Sequence, residues 1–412
     1  MTDPIKACRI CGNDNLVKIL DLGVQKLTGT FPRHPDPVLT EGPLVLVKCY
    51  GEDVCGLVQL DRSYDLGEMY GENYGYRSGL NQSMVEHLRG KVTRVTELNL
   101  LQPGDLVIDI GSNDGTTLGF YEPAGLTLVG VDPTAEKFRK YYPDHVSIIP
   151  DFFTASLIRN RLPGRKARVV TSFSMFYDLE DPLAFMREIE GILEDNGIWV
   201  FEQSYLPTML ARNSYDTVCH EHIEFYALEQ IHWMAQRAGL AIRDVEFNDV
   251  NGGSFSVTVG KATGAALPAK IVELLEDEKR NGIPTLDVYR EFEHRTERLR
   301  AELRTFIETA KRDGKVVAAL GASTKGNVLL QYCNLGPDTI PAVGEVNPDK
   351  YGCLTPGTWI PIVSQDELLQ QKPDYLLVLP WHFRDFFVRS RQLSEFTLLF
   401  PLPELEVVPP RA

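Results

Sequence analysis

One compact group of titratable side chains in this 412-residue chain is Cys219-His220-Glu221-His222, with Glu224 close behind. Two histidines at i and i+2 cannot share a helical face, and H-E-x-x-H is absent, so a helical zinc-protease site is unsupported. On an extended segment His220 and His222 share one face while Glu221 points the other way. Acid/base chemistry suits such a group, because imidazole titrates near neutral pH and a carboxylate can tune or orient it. A solvated loop with incidental histidines is the alternative that the spacing leaves open.

Cysteines form the second group. Cys8-Arg9-Ile10-Cys11 has knuckle spacing, which lets two thiolates reach one tetrahedral metal from a tight turn. Cys49 and Cys55 are further apart, and Gly51 between them would let the extra residues bulge outward. Four of the seven cysteines thus fall in the first 55 residues, as two pairs. The expectation is one structural zinc on Cys8, Cys11, Cys49 and Cys55, stabilising a small domain whose own core is thin. Unligated buried thiols are the alternative.

The third group is a loop. Val107-Ile108-Asp109-Ile110 runs into Gly111-Ser112-Asn113-Asp114-Gly115, as a buried parallel strand does when it ends at a ligand. Gly111 and Gly115 would let the backbone pass close to that ligand. A second apolar run, Leu128 to Val131, ends in Asp132, placed to accept hydrogen bonds from both hydroxyls of a ribose. The loop is not G-x-G-x-x-G, so a pyrophosphate is poorly served. S-adenosylmethionine (SAM), which has none, fits better than a dinucleotide. Asp109, Gly111, Asn113, Gly115 and Asp132 are the expected contacts, with Asp151-Phe152 at the adenine and Ser174 near the sulfonium. An ordinary βαβ turn is the alternative.

A second unit of the same build, Val316 to Asn327, contains the loop Gly321-Ala322-Ser323-Thr324-Lys325-Gly326-Asn327. It is not a P-loop, but Lys325 would stand at a helix N-terminus, where amide groups already favour anions. A diphosphate is one reading, and a packing module without ligand is the other. Upstream of the first loop, Tyr64, Tyr70, Tyr74 and Tyr76 precede Arg77, Ser78 and His87. Their rings and hydroxyls suit a sugar or base pocket, or packing between domains.

The elements that must position these groups give an α/β protein. Two Rossmann-like, doubly wound domains are expected, with a small N-terminal zinc-binding domain. The boundaries fall at 1–75, 76–265, and 266–412, the last including a helical connector. Strands are expected at 146–149, 169–173 and 198–201, with a helix from Pro182 to Leu193 that Asn196-Gly197 caps. A long helix should span Leu286 to Arg312. The formal charge of -15 opposes nucleic acid and anionic membranes as partners. No apolar run spans a bilayer and no signal peptide is evident, so reduced thiols and a cytoplasmic location are expected.

Taken in order, the paired cysteines with Cys55-Gly56-Leu57-Val58-Gln59-Leu60, the Gly111 loop, Cys219-His220-Glu221-His222 and the Gly321 loop resemble the sugar C-methyltransferases acting on nucleotide-linked keto-deoxysugars. The resemblance covers nearly the whole chain. It implies that the nucleotide sugar lies between the last two domains, that a carbon beside the ketone is deprotonated, and that the enolate takes the methyl of SAM. It makes His222 the first choice as general base, with Glu221 orienting it or sharing the proton. His220 or Tyr76 would face the enolate oxygen, and Tyr76, Arg77, Ser323, Lys325 and Asn327 would bind substrate. The chain departs from the family pattern at Cys219 (tyrosine), Asp178 (histidine) and Asn251 (histidine). An O-methyltransferase, an enolising epimerase and a nucleotide-sugar-binding protein without turnover remain alternatives. A monomer or weak homodimer is expected.

Overall fold

The computed structural model describes residues 3–35, 39–64, 77–122 and 125–411. Three sheets organise them. The N-terminal sheet begins with β1 (Leu16–Lys26), β2 (Glu41–Cys49) and β3 (Val58–Leu60), all antiparallel.

The central sheet is built on β4 (Leu106–Ile110), β5 (Thr127–Val131), β6 (Val146–Ile149), β7 (Ala167–Phe173) and β8 (Leu193–Ser204), mutually parallel. Every residue of β4 is buried, Asp109 included, as expected of a predominantly apolar strand covered on both faces. Between this sheet's strands the chain detours: β9 (Glu224–Phe225) leaves and pairs antiparallel with β3, completing the N-terminal sheet. A hairpin, β10 (Leu240–Asn248) and β11 (Ser254–Lys261), then extends the central sheet antiparallel, giving the order β10-β11-β8-β7-β4-β5-β6.

The C-terminal sheet has β12 (Val317–Leu320), β13 (Val343–Glu345), β14 (Ile362–Ser364), β15 (Tyr375–Val378), β16 (Thr397–Phe400) and β17 (Glu406–Val408). Its order is β14-β13-β12-β15-β16-β17, parallel except for the last strand. The long Asp287–Arg312 helix leads into it and buries Leu299, Leu303 and Ile307 along one stripe.

One local expectation fails. The Pro182–Ile192 helix passes straight into β8, so Asn196-Gly197 lies inside a strand instead of capping a helix. Gly197 is needed there because a Cβ would stand 2.8 Å from the Ala167 carbonyl oxygen of the neighbouring strand. No helix among the described residues is long and apolar enough to cross a membrane.

Candidate active site and metal centre

The four expected metal ligands converge. The sulfur atoms of Cys8, Cys11, Cys49 and Cys55 all lie within 4.8 Å of one another, with Cys8–Cys55 at 3.4 Å and Cys11–Cys49 at 3.5 Å. These are too long for disulfides. They suit the edges of a tetrahedron with bonds of about 2.3 Å to zinc. The wide second pair is accommodated as foreseen: Asp53 (φ 56°) and Gly51 (φ 151°) turn the extra residues outward, while the Cys49 amide returns to Leu57 O at 2.8 Å. Asn13 Nδ2 donates to Cys49 Sγ at 3.3 Å, a contact that favours thiolate.

At the end of β4, Gly111 (φ 71°) and Gly115 (φ 77°) occupy left-handed backbone, joined by Asn113 at φ 51°. A Cβ on Gly115 would stand 2.6 Å from the Tyr142 ring, so close packing inside the protein is what this glycine answers. Asp132 holds the loop: Oδ2 accepts from the Asn113 amide at 2.9 Å, and Oδ1 accepts from the amide and hydroxyl of Thr134, both at 2.6 Å. Asp109 lies beneath the loop, 2% exposed, and accepts from Thr171 Oγ1 at 2.5 Å. Burial raises its carboxyl to about 7. Asp151 and Phe152 are exposed, and Ser174 stands at the end of β7 in left-handed backbone (φ 55°).

Arg77 and its neighbours close over this loop. Ser78 N donates to Asn113 Oδ1 at 2.9 Å, Gly79 N to Asp114 Oδ2 at 3.0 Å, and Arg77 pairs with Asp114 at 3.5 Å. Arg77 is therefore engaged with the loop of the central sheet. Tyr76 lies outside the described residues.

The Cys219–His222 segment is a turn, closed by His222 N to Cys219 O at 3.2 Å, and this overturns the extended face shared by two imidazoles. Pinning β9 to β3 forces the chain to bend immediately before it. His220 is fully buried against the N-terminal sheet, edge-on to Tyr64 at 4.6 Å. His222 instead lies on the Tyr177 ring at 4.1 Å, with Nδ1 3.0 Å from Thr217 O. Since a carbonyl only accepts, Nδ1 carries the hydrogen and Nε2 keeps its lone pair. Burial, aided by the Lys325 charge, lowers this imidazole to about 4, so it is neutral at physiological pH. The Glu221 carboxylate lies close enough to the Cys219 thiol to influence it. Burial first, then Glu221, pushes that thiol well above its ordinary range, so Cys219 stays protonated.

The C-terminal sheet supplies the opposite wall. Ser323 caps the Thr324–Tyr332 helix, and Lys325 donates to Asn251 O. Asn327, expected at substrate, is fully buried and donates to Thr28 O at 2.7 Å, so it anchors the N-terminal segment. Trp381 Nε1 donates to Asp216 Oδ2 at 2.8 Å, tying the loop after β15 to the residues just before the turn.

Several participants escaped sequence reasoning. Glu202, at the end of β8, binds His87 Nε2 at 2.5 Å, Lys91 Nζ at 2.7 Å and Asn248 Nδ2 at 2.8 Å. Burial pushes its carboxyl up, but the His87 hydrogen bond and the Lys91 charge outweigh that and hold it below its ordinary range. The only signal was a carboxylate at the carboxyl end of a buried strand. Thr217, whose carbonyl sets the imidazole tautomer, gave none.

Three family models match the chain in sequence: "Putative zinc binding domain" over 8–70, "Methyltransferase domain" over 84–245 and "C-methyltransferase C-terminal domain" over 249–403. The C-methyltransferase NovU of Streptomyces niveus is 32% identical over 416 residues, covering 98% of this chain and 97% of NovU. Among solved structures, the CcbJ methyltransferase of Streptomyces caelestis aligns at 14% identity and a TM-score of 0.34, over 43% of this chain and 90% of that one. An O-methyltransferase family protein from Burkholderia thailandensis aligns at 20% identity and a TM-score of 0.34, over 45% of this chain and 59% of its own.

Proposed function

The chain belongs to the C-methyltransferase family of SAM-dependent, zinc-binding enzymes, and we propose that its substrate is a nucleotide-diphosphate-linked keto-deoxysugar methylated on carbon through an enolate. The observation that carries this reading is the His222–Thr217 hydrogen bond, which leaves Nε2 as an acceptor on a half-buried ring that has Tyr177 beside it and feels the Lys325 charge.

In this reading Nε2 of His222 takes the proton from the carbon beside the ketone. Thr217 O holds the ring and stabilises the imidazolium that forms. Glu221 lines the turn beside Cys219, and the imidazole Nδ1 is held by Thr217 O. Lys325 and the amide groups at the start of its helix face the diphosphate, and Lys325 helps stabilise the negative charge that develops beside it. Gly111, Asn113, Gly115 and Asp132 hold SAM, with Asp109 supporting their loop from below. Bound there, SAM supplies the electrophilic methyl group. Zinc held by the four cysteines has a structural part. The division into units at 1–75, 76–265 and 266–412, and a cytoplasmic location, belong to the same proposal.

Incubating the purified protein with methyl-labelled SAM and a panel of dTDP-, GDP- and CDP-ketosugars tests it. Label on a sugar carbon is expected. Label on oxygen would replace the enolate scheme with hydroxyl deprotonation, and α-proton exchange without label would point to an epimerase.

A further inference from the structure

The cysteine knuckle connects to the Glu221-His222 turn through one side chain that neither the metal nor the methyl transfer explains. Arg9 stands between Cys8 and Cys11, and its side chain is only 3% exposed. Nη1 donates to Leu60 O at 2.7 Å and to Gln59 Oε1 at 3.2 Å, and Nη2 donates to Ser63 Oγ at 2.9 Å. Nε faces Glu180 Oε2 at 3.3 Å, and the Arg9 backbone amide also donates to Gln59 Oε1, at 3.2 Å.

Three of those partners lead to His222. Gln59 pairs with Glu224 across β3 and β9, and Leu60 N donates to Ile223 O at 2.8 Å. Ile223 N in turn donates to Tyr177 O at 3.0 Å, and it is the Tyr177 ring that lies on His222. Glu180 sits three residues beyond Tyr177 on the same loop. The ladder on one side of the imidazole and the loop on the other therefore end on one guanidinium. Glu224, buried within the ladder and accepting from the Tyr226 hydroxyl, is pushed well above its ordinary carboxylate value by burial, with the Tyr226 hydrogen bond and the Arg9 charge acting against that shift.

We propose that Arg9 is a positioning residue for proton abstraction: it registers the turn carrying His222 against the cysteine knuckle. Five donors in a rigid fork can serve Leu60, Gln59, Ser63 and Glu180 together, which the single ammonium of lysine cannot do. Displacing a catalytic group by about 1 Å is enough to cost on the order of 10²-fold in rate. The inference rests on the reading of His222 as the base.

Arg9→Met and Arg9→Lys test it, each with zinc analysis, SAM calorimetry, steady-state kinetics on the ketosugar that wild type accepts, and amide hydrogen exchange. Arg9→Met should retain zinc and bind SAM within twofold of wild type. Its kcat should fall at least tenfold with little change in sugar KM, and amides 223–225 should exchange faster. Arg9→Lys should recover part of the rate. Loss of zinc in both variants would overturn the proposal, because the arginine would then serve the knuckle alone. So would an unchanged kcat, or unchanged exchange at 223–225. His222→Asn assayed in parallel separates the two ideas: if it keeps the rate, the base assignment fails, while the exchange data still decide whether Arg9 places the turn.

Discussion

The chain builds the same crevice twice and lines it with opposite charge. In the central sheet Asp132, at the tip of β5, captures the Asn113 amide of the loop after β4. In the C-terminal sheet Glu345, at the tip of β13, captures the Ala322 amide of the loop after β12 at 2.9 Å. Each acid uses its other oxygen on the backbone just beyond its own strand: Thr134 N in one case, Val346 N and Asn347 N in the other. The loops part company in what surrounds them. The first has Asp132, and Asp114 paired with Arg77, with Asp109 part-protonated beneath them, and is the more acidic of the two. The second has Lys325, and Lys350 donating to Ala322 O at 2.7 Å, and suits an anion. Aligning Gly111 with Gly321 sets buried Asp109 against Ala319. Strand, loop and acid thus specify a crevice, and the charges around it select the guest.

The sharpest division should come from the seam between the crevices. His222→Asn should bind both ligands normally yet lose about 10²–10⁴-fold in rate, the usual worth of a general base. Following deuterium wash-out from the ketosugar without SAM isolates that step, and normal exchange would remove His222 from it. Next come two substitutions with crossed effects. Asp132→Ala should weaken SAM by roughly 1.5–3 kcal/mol and spare the nucleotide sugar; Lys325→Met should do the reverse by a similar amount. Calorimetry that found both variants weak for the same ligand would end the distinction between the two crevices.

The smallest effect concerns Asp109. With its carboxyl raised to about 7, the folded chain keeps a proton there that the unfolded chain has lost above the ordinary carboxylate value. Its contribution to stability therefore falls as pH rises from about 4 towards 7, by at most about 1.4 kcal/mol per pH unit. Asp109→Asn should remove that slope, so its Tm should gain on wild type between pH 6 and pH 7. Ala319, at the matching place in the second crevice, contributes no such slope.

What could be read without coordinates was what the chain states locally. Strand, glycine and acid recur within about 20 residues of one another, and the cysteine pairs announce themselves by spacing. Helix spans followed the same logic: Leu286 to Arg312 was expected, and Asp287–Arg312 is found. What escaped depends on partners far apart in sequence. The bend at 219–222 follows from β9 joining β3, the imidazole tautomer from a main-chain carbonyl, and the role of Asn327 from Thr28. Asn196-Gly197 shows the converse error, a sound local stop signal that the chain uses as the irregular stretch of β8, between its pairings at Leu193 and Ile198 with β7.

The detour of β9 has a temporal side. Cys55 O waits for Gln230, 175 residues later, and Thr28 O waits for Asn327, 299 residues later. At about 5–20 residues per second on a ribosome, the second delay is roughly 15–60 s. Until β9 has been made, β3 presents an unpaired edge, the kind of surface on which nascent chains aggregate. All four cysteines of the knuckle, in contrast, lie within the first 55 residues and are among the first to leave the ribosome. Zinc can therefore set the first sheet long before its last strand exists. A shortage of metal would show first in the yield of folded chains, ahead of any change in the activity of those that had already folded.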